Sequence, residues 1–475
     1  MGASEQHFLY QQVAEDMRRA IGMGTYPAGE RLPSLRRIAD HYEVSLATAI
    51  QAYQWLEDSG FIEARPKSGY YVLAQGCGEA CEPEISTPRM KAGEVTVGQL
   101  ALDILAEARR PDIINLGAAI PGPDLLPLKS LSRIYAGVVR RDVRLLGYYE
   151  EQQGNAFLRQ QIARRLRVSG VRVHPDEIII TNGCMEALTL SLRTLCKAGD
   201  TVAVESPSYY GMMQVAEQLG LNVLELPTHP RDGVDLDALQ QALDKNLINV
   251  CLFMPSFNNP LGSCMPETNR KKMVAMLQRA GVPLIEDDIY GDLGYDSVRL
   301  PAAKAFDKKG EVLLCSSFSK TLAPGYRIGY VVPGRYFDEV LRRKFLGNIA
   351  TAATPQVAIA EFLQKGSYER VVRKATRYYQ QRTERLRQLV LQHFPEGTRV
   401  TQPQGGFVLW VELPEHINGV ALHDAALRKN ITVTPGVIFS PRGDYRHHIR
   451  MSASMVGLDV MTDAVNVLGR IAHKV

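Results

Sequence analysis

Between residues 178 and 314 short, wholly apolar runs alternate with amphipathic stretches, and no other feature restricts the fold so tightly. Ile178-Ile179-Ile180, the run from Thr201 to Val204, Val250 to Phe253, Leu284-Ile285 and Val312 to Leu314 are too short for buried helices. Between them lie helical stretches such as the one beginning at Met185. Strands apolar on both faces belong to a largely parallel sheet covered by helices on both sides, an α/β fold. Such folds place ligands beyond the carboxyl ends of their strands. At 475 residues the chain exceeds one compact core, so a small and a large domain are expected. No apolar run approaches the roughly 20 residues of a membrane span. Met1 to Tyr10 lacks a basic region followed by an apolar one, which makes the cytoplasm the expected compartment. The seven cysteines are odd in number and scattered, as reduced thiols are. Cys77 and Cys81 have no second ligand pair, so no metal site is expected.

Residues 1–75 read as a domain of their own. Val13, Met17, Ala20 and Ile21 recur at helical spacing, and Tyr26-Pro27-Ala28-Gly29 ends that helix. Ser34 can cap a second helix reaching Tyr42, and Ser45 a third running to about Ser59, with Gly60 as its stop. Phe61 to Arg65 and Tyr70 to Leu73 then form a hairpin around Pro66-Lys67-Ser68-Gly69. Three helices and a hairpin make a winged helix-turn-helix. Its charge gives no bulk attraction for nucleic acid: seven Lys/Arg face nine Asp/Glu, a net of −2. Residues 76–98, with four glycines, two prolines and no sustained period, read as a linker long enough to hold the head away from its own body. Residues 99–475 form the large domain, with a smaller α/β portion from about 398 to 475.

The head resembles the DNA-binding domain of GntR-type transcription regulators, through Pro-Ala-Gly-Glu-Arg-Leu-Pro-Ser-Leu-Arg at 27–36 and Ala-Tyr-Gln-Trp-Leu-Glu-Asp-Ser-Gly-Phe-Ile at 52–62. The resemblance implies double-stranded DNA as partner, with the third helix in the major groove and the wing on phosphates. Arg36, Ser45, Thr48, Lys67 and Ser68 are then the contact residues, with Arg31 and Arg37 beside them. Leu46 and Ala47 stand where the family often has Arg or Asn, so thymine methyls or DNA shape carry part of the specificity.

In the large domain Ser-Ser-Phe-Ser-Lys-Thr-Leu-Ala-Pro-Gly-Tyr-Arg-Ile-Gly at 316–329 resembles the cofactor-attachment segment of fold-type I aminotransferases, and the likeness extends over about 110–475. It implies pyridoxal 5'-phosphate as cofactor and Lys320 as the amine that condenses with its aldehyde. By the same resemblance Asp287 in Glu-Asp-Asp-Ile-Tyr holds the pyridine nitrogen, Asp288 being the alternative, and Asn259 and Tyr290 bond the ring oxygen. Gly183, Cys184 and Met185 open a helix toward the phosphate, with Ser317, Ser319 and Arg327 completing the cup. Tyr209 stacks on the ring, and Tyr149, or its neighbour Tyr148, reaches the partner's phosphate in a homodimer. Arg450 takes the α-carboxylate of an amino compound.

Head and body together resemble the MocR subgroup of GntR regulators, defined by this fusion. The expected function is a transcription regulator that senses pyridoxal phosphate, an amino compound or both. The alternative is an active aminotransferase transferring the amino group of an amino acid to a 2-oxo acid.

Overall fold

The computed structural model describes residues 9–27, 29–58, 61–65, 68–72, 82–96, 98–107, 110, 112–296 and 298–475. The head consists of α1 (Leu9–Gly22), α2 (Leu35–His41), α3 (Leu46–Asp58) and an antiparallel hairpin of β1 (Ile62–Arg65) and β2 (Gly69–Val72). Its core is formed by Val13, Ala14, Met17 and Ile21 of α1 against Ile38, Ala49, Tyr53, Leu56, Ile62 and Val72. Ala14 thus fills the place that the spacing assigned to Ala20, which is only half-buried. Ser34 Oγ accepts from Arg37 N at 3.3 Å and Ser45 Oγ from Thr48 N at 3.1 Å, so both caps form and start their helices. The Tyr53 hydroxyl donates to Pro33 O at 2.7 Å and pins α3 to the turn before α2. Gly60, Lys67, Cys77 and Cys81 lie outside the described residues.

Residues 82–96 run extended along the body. Gly93 and Val223 exchange backbone hydrogen bonds at 3.1 and 2.9 Å, and Ser86 Oγ accepts from Thr228 N at 2.8 Å. Glu82 pairs with Arg231 and accepts from Gln402 N, Glu84 pairs with Arg399, Arg442 donates to Lys91 O, and Thr96 N donates to Pro441 O. Val95 enters the main core of the body. This strap holds by side-chain anchors on both sides of the body, a pattern that its glycine and proline content does not announce.

After a helix at Gly98–Glu107 comes β3 (Ile114–Asn115). The large sheet follows: β4 (Ile179–Thr181), β5 (Thr201–Ser206), β6 (Asn222–His229), β7 (Gly233–Val234), β8 (Val250–Phe253), β9 (Leu284–Asp287), β10 (Val312–Ser317) and β11 (Gly329–Val332). Their spatial order is β4-β11-β10-β9-β8-β5-β6-β7. Strands β6, β5, β8, β9 and β10 are parallel, while β11 is antiparallel to both neighbours and β7 to β6. The strands are buried on both faces because two apolar layers sandwich them, one around Leu188, Val204 and Leu252, the other around Leu224, Phe253 and Leu277. Beyond a long helix, Tyr368–His393, a small antiparallel sheet gathers β12 (Arg399–Val400), β13 (Val408–Glu412), β15 (Thr434–Pro435) and β16 (His448–Ser452). β14 (Ile431–Thr432) pairs with β3 instead, so residues 114–116 belong to the small lobe, and Leu116 is fully buried in its core.

Candidate cofactor and DNA sites

The ends of β9 and β10 deliver the first groups of the pocket. Asp287 is the last residue of β9 and lies opposite Cys315 of β10, and Lys320 follows β10 by three residues. The Asp287 carboxylate accepts from Ile289 N at 3.1 Å and from the Cys184 thiol at 3.4 Å, both on Oδ1, which leaves Oδ2 for a ligand. Burial pushes this carboxyl up to about 7, partly offset by those donors. A protonated ring nitrogen against Oδ2 would hold it ionised. Asp288 faces the other way: it pairs with Arg299, which also pairs with Asp292, in a buried network that reaches Arg165 and the Tyr368 hydroxyl. This partner set separates the two adjacent aspartates.

Lys320 Nζ donates to Ala119 O at 2.6 Å and stands 5.6 Å from the Tyr290 ring. Burial, followed by the positive charge of Arg450, lowers the amine to about 8. A larger share of the amine is therefore neutral and nucleophilic near neutral pH.

Arg450 on β16 reaches across from the small lobe and is 1% exposed. Its Nε and Nη2 donate to Gly117 O at 3.2 and 2.7 Å, its Nη1 to Asn259 Oδ1 at 2.9 Å, and its Nη2 to Thr434 Oγ1 at 3.3 Å. Asn259 thus joins the guanidinium to the loop after β8, and Glu205 steadies that loop by accepting from Met254 N and Asn258 Nδ2, each at 2.8 Å. Tyr290 is buried beside this group, and Tyr209 lies at the mouth of β5 with its ring 4.6 Å from that of Tyr210.

The residues expected to hold the phosphate come together at the helix Cys184–Leu195. Gly183 is its N-cap with φ +81° and no side-chain cap, so the first N–H groups stay available. A β-carbon at Gly183 would run into the Arg327 guanidinium. That guanidinium donates to Asn182 O at 3.0 Å and to Ser319 Oγ at 3.4 Å, and Ser317 Oγ accepts from Ser319 N. An amine, a carboxylate and a glycine-lined helix start with a guanidinium beside it gather beyond these strand ends, and this donor set fits pyridoxal phosphate. Tyr148 and Tyr149 are 77% and 81% exposed. Sequence reading missed the Gly117 and Ala119 carbonyls, Thr434, Glu205 and the thiol link to Asp287.

In the head, Arg31, Arg36, Arg37 and Ser45 are exposed, Thr48 and Ser68 are half-buried, and Lys67 lies outside the described residues. The Ser45 and Thr48 hydroxyls bond each other at 2.8 Å, and Ser68 bonds the Tyr71 hydroxyl at 2.6 Å. Leu46, at the start of α3, is 45% exposed.

Residues 114–467 match the family aminotransferase class I and II, and residues 9–72 match the bacterial regulatory proteins of the gntR family. The uncharacterized HTH-type transcriptional regulator YjiR of Escherichia coli is 36% identical over 465 residues, 98% of this chain and 99% of its own. The 2-aminoadipate transaminase of Thermus thermophilus is 29% identical over 372 residues, 78% of this chain and 92% of its own. The crystal structure of LysN, an alpha-aminoadipate aminotransferase from Thermus thermophilus complexed with N-(5'-phosphopyridoxyl)-L-leucine, superposes with a TM-score of 0.73 at 28% identity, covering 79% of this chain and 94% of its own. By its body the chain belongs to the aminotransferase class I and II family, and by the head joined to that body it belongs to the HTH-type transcriptional regulators of MocR-like architecture.

Proposed function

We propose that this chain is a cytoplasmic, homodimeric regulator whose GntR-type head grips duplex DNA and whose body binds pyridoxal phosphate together with a carboxylate-bearing amino compound. One observation carries the reading: a complete winged helix, capped and with the start of α3 exposed, is joined to a pocket in which Lys320, Asp287 and Arg450 all converge. When bound, the cofactor supplies an aldehyde for amines and an electron sink. The chain's own residues do the rest. Lys320 offers a neutral amine, Asp287 keeps the ring nitrogen protonated through Oδ2, Asn259 and Tyr290 hold the ring oxygen, and Tyr209 covers one ring face. The start of the helix Cys184–Leu195, with Ser317, Ser319 and Arg327, receives the phosphate. Arg450 exchanges the Gly117 carbonyl for a ligand carboxylate, which its planar fork matches in two bonds. Because Arg450 rides on the small lobe and Lys320 on the large one, the ligand favours whichever lobe arrangement brings both to it.

In the head Arg36, Arg37 and Arg31, with Lys67 and Ser68 of the wing, serve phosphates, while Ser45, Thr48 and the exposed Leu46 face base edges, Leu46 suiting a thymine methyl. The exposed run Val143, Leu146, Tyr148 and Tyr149 supports a second copy as cover. Turnover as an aminotransferase is the second reading, favoured by the completeness of the pocket. Fluorescence anisotropy at fixed salt on the DNA upstream of the chain's own gene, with wild type and Lys320→Ala, with and without pyridoxal phosphate, separates the two. Specific binding that responds to the cofactor only in wild type is expected. Failure of specific binding in every condition, with the cofactor still attached to Lys320, would shift the assignment to the enzyme.

A further inference from the structure

The head is short of cations for the partner its fold implies. Of its seven Lys/Arg, Arg18 pairs with Glu15, Arg19 with Asp16 and Arg65 with Glu63. Among the described residues of the head, Arg31, Arg36 and Arg37 are left to meet phosphates, in a head whose sequence carries −2 overall. The chain as a whole is +4, so the part outside the head carries a surplus of six. Specific protein–DNA complexes commonly neutralise about 6–10 phosphates. The surplus cations therefore lie on the body, where further phosphate contacts can be sought.

The long helix Tyr368–His393 supplies them. It packs against α3, and Glu384 on it is close enough to act on Arg18 of α1. Two turns toward its N-terminus its solvent face presents Arg370, Arg373, Lys374 and Arg377, all exposed, at the i, i+3, i+4, i+7 spacing of one helical stripe. The acid beside them, Glu369, is already engaged by Arg165 at 2.8 Å. Among the described residues Arg370, Arg373 and Lys374 have no carboxylate partner. The same contact brings the end of the helix Ala156–Leu166 alongside, where Arg164 and Arg167 are also exposed. The stripe is about 10 Å long at 1.5 Å per residue, the axial rise of roughly three phosphates on one strand. Its near end stands about 10 Å from Glu384, where the head docks.

We propose that this face of the long helix is a second, sequence-independent DNA surface that takes the phosphate backbone of the duplex flanking the segment read by the head. The inference rests on the DNA-binding reading above and adds a site on the body to it. Duplex DNA is the occupant because the stripe is cationic without interleaved aromatic or apolar side chains, and because it adjoins the helix that the GntR fold presents to the major groove.

The test is a salt titration of full-length protein with two duplexes of random sequence, about 12 and about 40 base pairs long, comparing wild type with Arg370→Gln/Arg373→Gln/Lys374→Gln. The expected result is a slope of log K against log salt that is smaller by about 2–3 for the long duplex, from roughly 0.9 per phosphate contact. Affinity for the long duplex falls by about 100-fold near 0.1 M salt and converges with wild type toward 1 M. The short duplex, filled by the head, loses little. Arg370→Lys/Arg373→Lys, which keeps the charge, restores the slope and controls for folding. An unchanged slope in the triple glutamine variant overturns the surface while leaving the head's role intact. Wild type that binds neither duplex, nor the DNA upstream of its gene, overturns the DNA-binding reading itself.

Discussion

If the Lys320 amine is held near 8 by its surroundings, attachment of cofactor to the protein freed of it must follow that titration. Burial removes the water that stabilises an ammonium, the Arg450 guanidinium adds repulsion, and Asp287 only partly opposes them. At pH 7.5 about a quarter of such amines are neutral, against about one in a thousand for a lysine at its usual value near 10.4. The lowered value thus speeds attachment by about 200-fold at that pH, with all else equal. Stopped-flow absorbance after mixing the stripped protein with pyridoxal phosphate, from pH 6 to 10, reads this directly. The rate should climb tenfold per unit and level off near pH 8. Arg450→Met removes the neighbouring charge, so its midpoint should move up. A rate still climbing through pH 9.5 in wild type, or a midpoint in Arg450→Met that stays or moves down, would refute the electrostatic account of this pocket.

Gly183→Ala places a β-carbon against Arg327 at φ +81°, a conformation that costs a residue with a side chain about 1–3 kcal/mol. Cofactor affinity, followed by fluorescence quenching, should drop at least tenfold while the fold survives. Arg299→Ala strips the buried Asp288 and Asp292 of their shared cation and should cost about 3–5 kcal/mol in urea unfolding. Burial alone would raise Asp292, but Arg299 and Arg165 outweigh it and hold the carboxyl at about 2, below its unfolded value. Its stabilisation is therefore full above about pH 4 and is lost as pH falls toward 2, and the acid-unfolding midpoint of Arg299→Ala should lie higher than that of wild type. Tyr53→Phe removes the bond to Pro33 O and should cost the head about 1 kcal/mol in thermal unfolding, without altering the absorbance of cofactor on the body.

What sequence revealed was whatever is written locally. Ser34 and Ser45 cap helices within three residues of themselves, and the spacing of Val13, Met17 and Ile21 already shows one buried face. Lys320 was legible because the motif that marks it, residues 316–329, is contiguous in the chain. The partners of Arg450 were not, since Gly117 is 333 positions away and Thr434 lies on another strand of the small lobe. The mooring of residues 82–96 was equally hidden. Glycine and proline suggest flexibility, yet Glu82, Glu84 and Val95 acquire fixed partners from segments distant in the chain. Of the two adjacent aspartates the resemblance already favoured Asp287, but the reason Asp288 is otherwise engaged, its pairing with Arg299, was not legible.

That mooring changes how far the reading head can travel. Counted by sequence, some two dozen residues separate wing from body. With residues 82–96 fastened, only ten Cα steps remain between Val72 and Glu82, a span of at most about 36 Å when fully drawn out. Because the fastening grips both lobes, through Val223 and Thr228 on one side and Arg399, Gln402 and Pro441 on the other, its anchor points cannot all keep their spacing when the lobes shift. In the homodimer proposed above, a leash this short, pegged to two plates that slide, would limit the distance between the two heads and tie that limit to what lies between the plates.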